Sequence, residues 1–112
     1  MVSKDAQDKI GRLQLLEQNL QQLGQQKQQL QSQLFEVESA LKEVGTTTEA
    51  FKIIGNIMVQ ADPPTLAKEL QQKKEMAELR VKTVDKQEEQ IREKAESLRQ
   101  DVLKLMKGEK NE

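Results

Sequence analysis

Cysteine and histidine are both absent from this 112-residue chain, and so are tryptophan and tyrosine. Their absence removes disulfides, the serine and cysteine triads, and the commonest zinc ligands. A chain without cysteine fits a cytosolic setting, so a cytoplasmic location is expected. Phe35 and Phe51 are its only aromatic residues, and 35% of residues are hydrophobic. That is thin for a compact globule. It is enough for a heptad protein, which buries only a stripe. No apolar run approaches the length that crosses a bilayer, so no membrane partner is expected. The opening "MVSKDAQDKIGR" holds no apolar run before a small-residue cleavage site, so it does not read as a secretory signal.

An excess of one charge is missing too. Lysine and arginine number 18 against 19 aspartates and glutamates. Residues 1–44 carry five basic and six acidic groups, and residues 65–112 carry twelve and eleven. Phosphate binding calls for a basic stripe, so nucleic acid is not an expected partner. There is no nucleophile–base constellation, glycine-rich phosphate loop or metal-spaced cluster. The chain therefore does not read as an enzyme, and no cofactor or metal is expected.

What the chain does have is a heptad. Stepping by three and four from Leu13 gives Leu16, Leu20, Leu23, Lys27, Leu30, Leu34, Val37, Leu41 and Val44. Lys27 is the one polar member. Such a period of 3.5, kept this long, predicts a coiled-coil helix over about 4–44. Ser3 suits its N-cap, Asp5 its first turn, and Gly45 its end. A second stripe runs through Leu66, Leu70, Ala77, Val81, Val84, Glu88, Ile91, Ala95, Leu98, Val102 and Leu105, and weakens at Lys73 and Lys74. It predicts a helix over about 64–107, opened by Asp62-Pro63-Pro64-Thr65. Pairs four apart, Glu69 with Lys73, Glu78 with Lys82 and Glu88 with Arg92, support it. The tail 108–112 is expected to be disordered. Helices of equal length joined by about twenty residues, about 45–63, form an antiparallel hairpin, with register accurate to about a turn. Lys27 is read as snorkelling its ammonium to solvent, the alternative being a polar seam residue that fixes register. Gly11 and Gly24 each cost about 1 kcal/mol against alanine.

The linker contains "AFKIIGNIMV", with Phe51, Ile53, Ile54, Ile57, Met58 and Val59 around Gly55-Asn56. Two strand-like arms about such a pair predict a two-residue β-hairpin turn with positive φ. The register would pair Ile54 with Ile57, Ile53 with Met58 and Lys52 with Val59. Both faces would then be mostly apolar. Six such side chains gain about 1.5–3 kcal/mol each only if fully buried. Ordering about ten residues costs roughly 1–2 kcal/mol each. The two nearly cancel, so the hairpin needs burial by other chains. The alternative is a long, partly ordered coiled-coil loop.

Helix, β-hairpin and helix at these lengths, with "FKIIGNIMVQ" in the linker, resemble the prefoldin family, and the archaeal-type β-class subunit in particular. The linker has room for one hairpin, whereas the α-class has two. The resemblance implies one prefoldin-like domain over 1–112: an all-α dominated, long antiparallel two-helix coiled coil. Its single β-hairpin would assemble into an inter-subunit β-barrel. It further implies an ATP-independent holding chaperone, a hetero-hexamer of two α-class and four β-class subunits. Apolar coiled-coil tips would capture unfolded polypeptides and deliver them to a group II chaperonin. The assembly residues would be Phe51, Ile53, Ile54, Gly55, Ile57, Met58 and Val59.

The termini carry more apolar residues than a seam uses. Val2, Ala6, Ile10, Leu13, Leu15 and Leu16 lie on the first helix, and Val102, Leu103, Leu105 and Met106 on the second. Antiparallel pairing brings them to one end. Ile10, Leu13, Leu15, Leu16, Val102, Leu103, Leu105 and Met106 are thus the candidate client-binding tip. Ile10, Leu15, Leu103 and Met106 fall off the seam, to face solvent or a client, or else to close a frayed end. Phe35, Met76 and Leu79 form a second off-seam set, placed to pack on a neighbouring subunit or on the chain's own hairpin. The rival to a chaperone is a structural coiled-coil tether without client binding, which needs neither the hairpin nor the apolar tip.

Overall fold

The computed structural model describes residues 3–110. The element order is α1 (Lys4–Val44), β1 (Ala50–Ile54), β2 (Ile57–Ala61) and α2 (Pro63–Lys110). Ser3 caps α1: its hydroxyl oxygen accepts from the Ala6 N–H at 3.1 Å, and its carbonyl from Gln7 at 2.9 Å. The helix passes through Gly11 and Gly24 unbroken, and a methyl group at either would meet nothing within 4 Å. It ends at Val44, but Gly45 does not adopt the left-handed C′ conformation, because Gly55 has the only positive φ among the described residues. The backbone N–H and hydroxyl of Thr46 both donate to the Glu43 carbonyl instead, at 3.1 Å each.

Asp62 is the N-cap of α2. One of its carboxylate oxygens accepts from the Thr65 N–H at 3.3 Å and from the Thr65 hydroxyl at 2.8 Å. Pro63 and Pro64 take the first helical positions, where a missing N–H costs nothing. At its other end α2 continues through Gly108 to Lys110, past the expected limit near 107. The helix therefore occupies part of the tail expected to be disordered. One glycine lowers helix propensity by about 1 kcal/mol but is no steric stop, unlike proline. As a result α2 has 48 residues against 41 in α1, and the two helices are not equal in length.

Tertiary contacts gather in two units. One holds the chain up to Lys27 and from Thr83 onward, and the other is Gln28–Lys82. In the terminal unit the helices run antiparallel, with ion pairs from Lys9 to Asp101 (3.8 Å), Glu17 to Arg99 (3.6 Å) and Lys27 to Asp85 (2.7 Å). This register lies within about a turn of the expected one. Every seam position named from the heptad is covered, and Val84, Ala95 and Val102 are buried. The seam also extends past Leu13. Ala6 is fully buried in it, and Lys9 occupies the next position.

The hairpin unit packs the second half of α1 against the first half of α2, with Leu30 and Ala77 buried. Lys74, not Lys73, takes the covered position where the stripe weakens. Two of the expected i,i+4 pairs are replaced. Glu78 meets Lys74 at 3.9 Å rather than Lys82, and Glu69 meets Lys52 of β1 at 3.6 Å rather than Lys73. A partner from another element outcompetes the local one for Glu69, and this ties the hairpin to α2. Glu88 and Arg92 do pair, at 3.8 Å.

β1 and β2 pair antiparallel in the expected register: Ile54 with Ile57, Ile53 with Met58, and Lys52 with Val59. Phe51 pairs with Gln60 and Ala50 with Ala61. Gly55 has φ of 61°, while Asn56 stays at negative φ. Glycine at the first central position alone is the type II′ arrangement, whose twist suits the flanking strands.

Candidate functional site

Two surfaces carry the residues singled out above. The first is the hairpin. Strand alternation puts Ala50, Lys52, Ile54, Ile57, Val59 and Ala61 on one face, and toward its base Ala50 is buried and Lys52, Val59 and Ala61 are partly covered. That face rests on its own chain at the base. The other face carries Phe51, Ile53, Met58 and Gln60, and its apolar members are 52%, 71% and 66% exposed. Ile54 and Ile57, beside the turn, are also more than half exposed. The chain leaves five large apolar side chains of the two strands uncovered. An antiparallel sheet that faces water normally keeps the wet face polar. Both strands are also edges, with backbone groups open to pairing.

The second surface lies toward the termini. Leu15, Leu103 and Met106 are exposed, as their off-seam positions require. Ile10 is only partly exposed. Leu13, Leu16 and Leu105 are half-buried seam residues, and Val102 is buried. Of the eight candidate tip residues, then, Leu15, Leu103 and Met106 are the exposed ones. Ala6, named with them, belongs to the seam, and Val2 lies outside the described residues. The exposed set is also divided. Ile10, Leu103 and Met106 share the stripe that holds Glu17, Arg92, Glu96 and Arg99. Leu15 lies on the opposite stripe, lining a hollow of about 550 Å³ with Arg12, Leu16, Asn19, Lys94, Ser97 and Leu98. The heptad positions alone could have shown this division.

Phe35, Met76 and Leu79 are all exposed. Met76 lines a hollow beside Leu30 and Val37, while Phe35 lines a different one with Gln28 and Gln31. They do not form one patch.

Within the seam, Lys27 does not simply snorkel. Its ammonium lies 2.7 Å from Asp85 and 3.2 Å from Glu88, whose side chain is almost wholly buried. These bonds, first to Asp85 and then to Glu88, hold the Lys27 pKa above its ordinary value of 10.5. Heptad stepping placed Lys27 and Glu88 in the seam, but it could not choose between partners one turn apart. Among the described residues no group of three or more acidic side chains is placed to hold a metal ion. Among the described residues, no helix is long and apolar enough to cross a membrane.

Comparison with known proteins meets this geometry at several points. The sequence model of the family described as Prefoldin subunit matches residues 7–109. A prefoldin subunit beta of Archaeoglobus fulgidus is 37% identical over 103 residues, covering 89% of each chain. One from Sulfurisphaera tokodaii is 42% identical over 59 residues, 53% of this chain. That match spans 47% of the relative, so only about half of its length is covered. The crystal structure of the prefoldin beta subunit from Thermococcus strain KS-1 superposes with a TM-score of 0.85 at 28% identity, covering 91% of this chain and 92% of that one.

Proposed function

Because the chain belongs to the prefoldin family as a β-class subunit, and so acts as a chaperone subunit that assembles with other prefoldin subunits, we propose that it captures unfolded polypeptides without ATP and passes them to a group II chaperonin. The assembly is a hetero-hexamer of two α-class and four β-class chains, working in the cytoplasm. The observation that carries this reading is the outer hairpin face. Phe51, Ile53 and Met58 stand uncovered on paired strands whose edges are free. Strand pairing with other subunits would bury the side chains and satisfy the edges together. A structural tether has no use for such a face.

Capture falls to the terminal unit. Leu15, Leu103 and Met106 offer flexible apolar contact, which suits unselective recognition. Several subunits acting on one client would supply avidity where each contact is weak. The test is suppression of aggregation of a chemically unfolded protein by the purified complex, followed by light scattering without nucleotide. Suppression that needs the terminal residues supports the reading. A complex that assembles but never suppresses aggregation contradicts it.

A further inference from the structure

In the terminal unit the apolar seam of α1 cannot tell one register from another. Leu13, Leu16, Leu20 and Leu23 are all leucine, so sliding α2 along them by seven residues meets the same side chains again. The α2 layers that pack there, Val84, Ile91, Ala95, Leu98 and Val102, are apolar too. One layer differs. Lys27 lies 3.2 Å from the buried Glu88 and 2.7 Å from Asp85. Arg92, at 3.8 Å from Glu88, stands on the same helix and would travel with it in any slide. Lys9 with Asp101 is a second polar contact of the seam, but it is longer, at 3.8 Å, and 46% of the Asp101 side chain is exposed.

We propose that Lys27 and Glu88, with Asp85 in support, select the register of the two helices against one-heptad slips, and so fix which residues of α1 and α2 meet toward the termini. A slide one way sets Lys27 opposite Ala95, puts Arg92 where Asp85 was, and sets Glu88 opposite Leu34. A slide the other way sets Lys27 opposite Val81, puts Glu78 where Asp85 was, and sets Glu88 opposite Leu20. The first slip brings two cations together. Both leave the Glu88 carboxylate against leucine without a cation across the seam, because α1 has no lysine or arginine in 16–24 or in 30–38. Removing one partner from a buried ion pair is strongly destabilising, whereas replacing the whole pair by apolar groups is often neutral or better. The pair therefore penalises the wrong registers more than it stabilises the right one. Single polar residues at seam positions of other coiled coils specify register in this way, at a cost in stability.

The test reads register directly. The chain has no cysteine, so Gln14→Cys with Gln87→Cys accepts two spin labels at exposed sites, one on each helix. The labelled full-length chain is diluted with unlabelled chain, and pulsed dipolar spectroscopy gives the distance within one molecule. The parent should show a single distance. Lys27→Leu with Glu88→Leu should add a second population, displaced along the axis by about 10.5 Å, seven residues at 1.5 Å each. Helix content and melting temperature by circular dichroism should stay close to the parent's, which separates selection of register from plain stabilisation. A second variant, Leu20→Lys with Lys27→Leu, keeps the composition and moves the cation by one heptad. Its main population should shift by the same about 10.5 Å, following Glu88 to the new cation. If both variants keep the parent's single distance, the proposal is overturned and the linker alone sets the register.

Discussion

The Lys27 ammonium donates to a carboxylate oxygen of Glu88 at 3.2 Å across a largely apolar seam, and Glu88 is 5% exposed. Asp85 holds the same ammonium at 2.7 Å. The two partners are unequal in what they can lose. Lys27 keeps 31% of its side chain in solvent and has Asp85 in reserve. Glu88 would be left with Arg92 at 3.8 Å alone. A buried carboxylate that loses its partner is strongly destabilising, whereas apolar replacement of a whole buried pair is often neutral or better.

Lys27→Met should therefore lower the melting temperature by more than Glu88→Leu. The double variant Lys27→Met with Glu88→Leu should recover most of the loss. Thermal denaturation by circular dichroism reads all three. A Glu88→Leu loss equal to that of Lys27→Met would contradict the assigned asymmetry.

The same contact gives a pH signature. The Lys27 pKa is raised in the native state above 10.5, chiefly by Asp85 and then by Glu88. A raised lysine pKa means that the native state holds the proton more tightly than the unfolded state does. Its contribution to stability is fully present below pH 10.5 and fades as pH rises through the native value. The stability gap between the wild type and Lys27→Met should thus be constant from pH 8 to 10 and narrow above 10.5. A gap that stays unchanged as the pH rises well above 10.5 would contradict the assignment.

The hairpin predicts separation of folding from assembly. Ile53 is 71% exposed, so Ile53→Asp should leave helix content unchanged and alter the stability of the isolated chain by no more than about 0.5 kcal/mol. It should abolish the complex seen by size-exclusion chromatography with light scattering. Gly55→Ala acts differently, by placing a side chain at φ of 61°. It should cost about 1–2 kcal/mol in the turn and weaken assembly without eliminating it.

At the terminal unit, Leu15→Ser, Leu103→Ser and Met106→Ser together should preserve assembly and remove most suppression of client aggregation. Val102→Ala is the contrast, because that side chain is buried. It should cost about 2 kcal/mol of stability while the exposed apolar surface survives. If the two variants lose suppression equally, folding and not contact would be the cause.

Much of this fold was written in local pattern. The 3.5-residue period fixed the seam, because burial of one stripe is what a heptad encodes. The alternation about Gly55-Asn56 fixed the hairpin register, because a two-residue turn leaves one pairing. What failed to appear were choices among competing partners. Glu69 has a lysine four residues on, and only the folded hairpin brings Lys52 closer. Lys27 has solvent as an alternative to a carboxylate 61 residues away, and register known to a turn does not decide between them. The exposed apolar residues were legible as off-seam, but their use was not, since a heptad records only what faces the partner helix.

The most direct measurement is native mass spectrometry of the complex this chain forms in its own lysate, with every component identified. The account predicts six chains, including a longer companion with two hairpins. A homodimer or homotetramer without a companion would contradict it and leave the apolar hairpin without its assembly role.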